Sequence, residues 1–265
     1  MDVDRYLARF GSVNCYDVSL NTLKTLHLNH LQHVPFENLD IPLKRNIDLS
    51  PAHLYTKLVE QRRGGFCYEL NGLFAWLLRS LGYDVQMLAG RVHNGTDFGP
   101  PFDHLLLLIN GFADPLLVDV GFGDSFVEPL TLTEGVQPQA NGTYHLTPDG
   151  DGYTLWRAKP NETPAPQYTF SLKSYQLTDF VEMCEYQQTS SASTFTQKSV
   201  CSMATDTGRI TISNGRLITT DWRTQTKQED IISSEVQYRQ ILTEKFGINL
   251  PAELDLSVLL APEPA

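Results

Sequence analysis

Long apolar runs are missing from this chain: nothing approaches the roughly 18–20 apolar residues of a membrane span, which excludes a helical membrane protein. Cysteine is scarce. Cys15, Cys67, Cys184 and Cys201 are scattered and form no CxxC pair, so there is no zinc signature and reduced thiols are expected. Basic residues are outnumbered, 20 Lys and Arg against 31 Asp and Glu, for a net charge of -11. A nucleic-acid binder needs clustered Lys and Arg to neutralise phosphates, so that class is excluded too. The same deficit poses a problem for any anionic cofactor, which would need a local positive patch or helix N-termini. Lys44, Arg45, Arg62 and Arg63 are the basic cluster nearest in sequence to Cys67, although Lys44 and Arg62 read better as solvated charges. The start, Met1-Asp2-Val3-Asp4, lacks the basic-then-apolar plan of a signal peptide, and a cytoplasmic address is expected.

What is present is ordinary for a globular protein: 265 residues, 41% apolar and 10% aromatic, enough for one large domain or two to three small ones. No internal repeat is visible. Helices are expected at 2–10 and 19–33, and again from Ser50-Pro51, with Ser50 as N-cap, to about Arg62. His27, His30 and His33 raise the question of a metal, but His33 turns away from the other two and no HExxH or carboxylate supports them. Capping and surface roles fit those rings better. From Tyr83 the pattern becomes short, apolar and β-prone: 85–92, 104–109, 115–122, 144–146, 153–157 and 167–172. Asn94-Gly95, Asn110-Gly111, Asn141-Gly142 and Asp149-Gly150 are hairpin-type turn signals within it. A third part starts near Leu177 with a helix, passes a Ser/Thr-rich stretch (Thr189 to Thr196), and holds strands at 209–213 and 215–219. A helix over 234–246 and a frayed, Pro-rich tail from Ala261 complete it.

The stretch around which the chain is organised is Arg63-Gly64-Gly65-Phe66-Cys67-Tyr68-Glu69-Leu70-Asn71. Two glycines break what precedes them. Phe66, Leu70, Leu73, Phe74, Leu77, Leu78 and Leu81 then recur on one helix face until Gly82. Cys67 therefore sits in a first helical turn, where free N–H groups and the positive dipole end favour a thiolate. Local context alone leaves both a nucleophile and a buried structural cysteine open.

A cysteine nucleophile needs a base and a group that orients the base. His104 and Asp119 are the candidates. If Asn110-Gly111 is a two-residue hairpin turn, Ile109 pairs with Phe112 and His104 lies opposite Leu117. Asp119 is then diagonal to His104 on the same face, roughly 7–8 Å away between backbones, with Asp103 and Asp114 on the other face. A slip of one residue at Asp114-Pro115 would undo this register. An aspartate between Val118 and Val120 is also costly to bury without a partner.

These residues match a family. The chain resembles the arylamine N-acetyltransferases through Val34-Pro-Phe-Glu-Asn-Leu39, the Arg63 to Asn71 stretch, and His104-Leu-Leu-Leu-Leu followed by Val118-Asp-Val-Gly-Phe-Gly123. Beyond about residue 130 the resemblance is one of length and pattern. It implies an α+β fold of three parts with a papain-like cysteine-enzyme core: an N-terminal helical bundle (1–82), an antiparallel β-barrel (83–176) and a C-terminal α/β lid (177–265). It implies a Cys67–His104–Asp119 triad and a double displacement. Acetyl passes from acetyl-CoA to Cys67, then to an arylamine, arylhydroxylamine or hydrazine, as in xenobiotic metabolism, with no metal. Phe36 and Phe122, and Phe195 with them, should line the acceptor pocket. Gly123 and Asp124 should approach coenzyme A, and Glu37 and Arg63 should pair beneath the active-site loop. A monomer or homodimer is expected. Other readings are an amide synthase of the same fold that uses a carrier-bound acyl group, and a cysteine hydrolase or transglutaminase-like enzyme. A purely structural role leaves the three residues unexplained.

Overall fold

The computed structural model describes residues 1–260 apart from Val13, Glu134 and Asn161; the tail from Ala261, read above as frayed, lies outside the described residues. Helices α1 (Val3–Arg9) and α2 (Leu20–His33) begin at Asp2 and Ser19, whose side chains accept N–H groups of the first turns. The signature loop then contributes a two-residue strand, β1 (Phe36–Glu37). Helix α3 (Pro51–Tyr55) does not continue as α-helix to Arg62. It widens into a π-helical turn over Thr56–Glu60, in which Gln61 N–H reaches back to Thr56 O at 2.9 Å. Helix α4 (Cys67–Ser80) runs through the core with Leu70, Phe74, Leu77 and Leu78 fully buried.

Eight antiparallel strands follow: β2 (Asp84–Val92), β3 (His104–Asn110), β4 (Leu116–Val118), β5 (Leu130–Thr131), β6 (Gln137–Gln139), β7 (Gly142–Asp149), β8 (Gly152–Ala158) and β9 (Ala165–Tyr175). They form one sheet in the order β5-β4-β3-β2-β9-β8-β7-β6. Its two edges do not meet through backbone pairing but through two glutamines. The Gln137 amide takes both the N–H and C=O of Thr131 at 2.9 Å each. The Gln139 amide takes Val127 N–H at 2.7 Å and Glu128 C=O at 2.8 Å. The result is a nearly closed barrel.

Past it come α5 (Val181–Thr189) and α6 (Thr194–Gln197), then β10 (Val200–Ala204), β11 (Gly208–Ser213), β12 (Arg216–Asp221) and β13 (Thr226–Ile231), with α7 (Glu235–Phe246) across them. The second sheet is ordered β1-β10-β11-β12-β13, so a strand from the first forty residues edges a sheet whose other strands begin only at Val200. Asn214 and Gly215, both with positive φ (48° and 71°), form the β11–β12 turn that an Asn-Gly pair favours.

Two expectations are corrected here. The hairpin after β3 is not tight: Ile109 pairs with Leu116 rather than Phe112, four residues further on. A shift of four is even, so it leaves each side chain on its expected face. Strand β4 also stops at Val118 instead of running to Phe122. Beyond that point side chains claim the backbone donors: Val120 N–H goes to Asn71 Oδ1 (3.0 Å) and Gly121 N–H to Asp119 Oδ1 (2.9 Å).

Candidate active site

The turn that leads into Cys67 is built on two positions that admit no side chain. A Cβ on Gly64 would run into the Pro35 carbonyl, and one on Gly65 would lie 2.6 Å from a Glu69 carboxylate oxygen. That space lets Gly65 bond the signature loop, with Glu37 N–H on Gly65 O at 2.8 Å. Glu69 folds back onto the start of α4 and accepts Phe66 N–H at 3.1 Å. Its other oxygen lies 2.7 Å from Lys57 Nζ, which also reaches Asp40 at 2.7 Å. Arg63 meets Glu37 Oε1 through Nε (2.9 Å) and Nη2 (2.8 Å), and Asp40 through Nη1 (3.0 Å). The Glu37–Arg63 pair thus belongs to a buried chain of five charges. Burial opposes the charge of both cations, yet the facing carboxylates hold Lys57 and Arg63 above their ordinary values. Burial outweighs Lys57 at Glu69, whose carboxyl is pushed up to about 7.

Cys67 opens α4 and is 3% exposed. Burial pushes its thiol well above the ordinary range, while the Leu105 N–H on the sulfur pulls the other way. Burial therefore works against the thiolate that the helix N-terminus favours. Leu105 follows His104, whose Nε2 lies 2.8 Å from Asp119 Oδ2. Asp119 also accepts from Asn71 Nδ2 (2.8 Å), the Tyr168 hydroxyl (3.1 Å) and Gly121 N–H. Burial works against its charge, but His104, Asn71 and Gly121 hold it below the usual carboxylate range. Asn71 also donates to Leu105 O at 2.7 Å, so one amide on α4 joins Asp119 to the strand of His104. Gly121 closes the arrangement: a Cβ there would lie 2.8 Å from Cys67 Cα and 2.7 Å from Asn71 Nδ2. The structure so brings the elements of Cys67, His104 and Asp119 together.

Phe36, Phe122, Gly123 and Asp124 line one cleft of about 680 Å³. Phe122 stands edge-on to His104, with ring centroids 5.2 Å apart, and Gly123 packs on the Phe36 ring. Phe195 is not in the wall of that cleft but backs it, 6.2 Å from Phe36 and 5.5 Å from Phe66. Across the cleft stand Arg157, Lys159, Arg209 and Lys227. Asp124 meets three of them, Arg157 at 3.1 Å, Arg209 at 3.3 Å and Lys159 at 3.9 Å, and so ties β8 of the barrel to β11 of the second sheet. The positive patch thus comes from far along the chain. Of the sequence-adjacent cluster, Arg63 is consumed by carboxylates. Neither that cleft nor a larger, mostly apolar cavity of about 820 Å³ under Leu54, Trp76 and Cys184 includes Cys67, His104 or Asp119 in its wall; the cleft is linked to them by Phe122, which stands against His104.

Sequence reasoning missed several of these partners. Asn71 carried a signal, since a residue four positions after Cys67 shares its helix face. Tyr168 and Asn38 carried none; Asn38 bonds Phe195 O at 2.9 Å and Val200 N–H at 2.8 Å and so anchors the Phe195 loop. The histidine run is corrected as well. His27 and His30 are fully buried rather than on the surface, and the three rings serve separate partners: Val127 and Asp119, Tyr6, and Asn29.

Comparison with known proteins names the group. A family model described as N-acetyltransferase matches residues 19–254. The chain belongs to the arylamine N-acetyltransferase family and is a transferase. It is 32% identical over 279 residues to the arylamine N-acetyltransferase pineal gland isozyme NAT-10 of Gallus gallus, covering 96% of each chain. It is 32% identical over 228 residues to proansamycin X synthase of Amycolatopsis mediterranei (strain S699), covering 83% of this chain and 88% of that one. Its structure is similar to that of Mycobacterium marinum arylamine N-acetyltransferase in complex with CoA, with TM-score 0.86 and 31% identity over 94% of this chain and 93% of that one.

Proposed function

We propose that the protein moves an acetyl group from acetyl-CoA to an arylamine, arylhydroxylamine or hydrazine by double displacement through Cys67. The observation that carries this is Asp119: a buried carboxylate with four donors, one of them His104 Nε2, fixed by Asn71 to the helix that Cys67 opens. With Nε2 engaged, Nδ1 is the His104 nitrogen that takes the Cys67 proton. The thiolate attacks the thioester carbonyl, and the Cys67 N–H at the start of α4 stabilises the oxyanion. Coenzyme A leaves as the thiol on receiving the proton from His104. The amine then attacks the acetyl-cysteine while His104 takes the amine's proton and returns it to the sulfur.

The cleft fits both substrates. Phe36 and Phe122 present aromatic walls to a flat acceptor, and Arg157, Lys159, Arg209 and Lys227 offer cations to the phosphates of coenzyme A. This answers the problem raised by the net charge of -11. Gly123 leaves room for the pantetheine arm, and Asp124 serves coenzyme A by holding Arg157 and Arg209 in place.

Mixing the enzyme with acetyl-CoA alone should add one acetyl mass to the Cys67 peptide, and varying both substrates should give parallel double-reciprocal lines. Intersecting lines without an acetyl-enzyme would remove Cys67 from the nucleophile role. The likeness to proansamycin X synthase favours a second reading, amide synthesis from a carrier-bound acyl group; that enzyme would take no acetyl from free acetyl-CoA. A hydrolase would show no acceleration by amine.

A further inference from the structure

His27 belongs to none of the roles above. It sits on α2, in the helical part, fully buried, with its ring stacked on Phe126 (5.6 Å, 6° between planes). Its Nδ1 lies 3.0 Å from Val127 O, and its Nε2 lies 3.1 Å from Asp119 O and 3.4 Å from Asp119 N. The two contacts bracket one segment. It starts at Asp119, carries Phe122, Gly123 and Asp124, and ends at Val127. Because β4 stops at Val118, Asp119 has no strand partner, and the helix-borne ring stands where a ladder would have been.

We infer that His27 is a positioning residue for the transfer reaction: it clamps the Asp119 peptide to α2 and so fixes where the Asp119 carboxylate presents itself to His104. The tautomer with the proton on Nδ1 makes both contacts: the ring donates to Val127 O and accepts Asp119 N–H. With the proton on Nε2 it would donate to Asp119 O and leave Val127 O without its donor. Burial keeps the ring neutral, pulling its proton affinity below the ordinary histidine range. The inference rests on the double-displacement reading, since a displaced Asp119 matters only if His104 must become an imidazolium. Displacements near 1 Å cost as much as about a hundredfold in rate.

The two contacts can be separated with the full-length protein. In His27→Asn the side-chain amide sits near the position of Nδ1 and can keep Val127 while losing Asp119. In His27→Gln the amide reaches the position of Nε2, where it can bond the Asp119 peptide while losing Val127. Each variant forfeits one of two contacts, so a residue that only stabilises the fold would make them alike. Three readouts apply to both variants and wild type: the rate of Cys67 alkylation by iodoacetamide, kcat and KM with acetyl-CoA and an arylamine, and the melting temperature. His27→Asn should slow alkylation and kcat about tenfold or more with KM for acetyl-CoA unchanged, and His27→Gln should keep both rates within about threefold of wild type. Equal rates in the two variants, a larger loss in His27→Gln, or losses that follow melting temperature alone would overturn the inference. Failure of the reading beneath it looks different: wild-type Cys67 itself would alkylate no faster than Cys15, and the inference would fall with it.

Discussion

Asp119 shows how a buried charge becomes an instrument. Four donors converge on it, and His104, Asn71 and Gly121 hold its carboxyl below the usual range against the pull of burial. Replacing it with the amide in Asp119→Asn keeps the shape, sets an N–H₂ against donors and removes the charge that supports the imidazolium. We expect kcat to fall by about 10⁴-fold with the fold intact; steady-state rates and a melting curve check this, and near-normal turnover would move the third member elsewhere. Cys67 should also be the first of the four cysteines alkylated at low reagent ratio. Cys15 is the most exposed, whereas Cys184 and Cys201 are buried thiols pushed up in pKa, Cys184 to about 12. Exposure alone would favour Cys15, so Cys67 wins only if a base activates it; peptide mass mapping decides. At this scale the sequence was most readable where a residue's chemistry is rare, as for Cys67 and for Asp119 between two valines. It was mute on Tyr168 and His27, because their partners lie far along the chain and no local pattern records them.

Elements were legible where local physics decides them. The helices expected at 19–33 and 234–246 are α2 and α7, and the caps that set their ends, Ser19, Ser234 and Gly247, went unnamed in the sequence reading, as did the Asn214-Gly215 turn. The π turn after α3 was not legible, since nothing in Thr-Lys-Leu-Val-Glu distinguishes it from α-helix; what holds it is the pull of Asp40 and Glu69 on Lys57. Strand β13 was not legible either: exposed along its length and led by Thr-Lys-Gln-Glu-Asp, it has no apolar face and exists by pairing with β12. The turn of Cys67 carries a pH signature. Burial pushes the Glu69 carboxyl up to about 7, above the ordinary carboxylate range. With the folded value raised, the stability it contributes is fully present below the unfolded value and is lost as pH rises through the folded one. The melting temperature of wild type relative to Glu69→Gln should therefore fall between about pH 4.5 and about pH 8. His27 and His30 titrate alike in both proteins and cancel from the difference. A gap that stays constant or widens with pH would show that Glu69 is ionised throughout. Removing Lys57 instead leaves carboxylates facing one another, and Lys57→Met should cost about 3–5 kcal/mol in urea unfolding.

At the scale of the whole molecule, the order of helices, then barrel, then second sheet was readable from the change of hydrophobic period, but the joints were not. The barrel seam depends on the Gln137 and Gln139 side chains, and polar residues in a turn-rich stretch do not announce such a task. Gln139→Ala would leave Val127 N–H, in a buried residue, without its partner. Unfolding free energy should drop by about 1–3 kcal/mol, with faster amide exchange at Val127 and Glu128 than elsewhere in the barrel; uniform exchange would place the weak point away from the seam.

The pairing of β1 with β10 also sets an order in time. A ribosome makes Cys67, His104 and Asp119 in the first half of the chain, while the strand of Phe36, bridged early to Gly65, waits for Val200–Ala204 to gain its antiparallel partner. The arginine that Asp124 grips from the second sheet, Arg209, is translated later still. A nascent chain halted before β10 would thus hold Cys67, His104 and Asp119 and lack Arg209 and Lys227 from the wall of the cleft. The candidate reactive groups are encoded early, and the last quarter of the message completes the chamber around them.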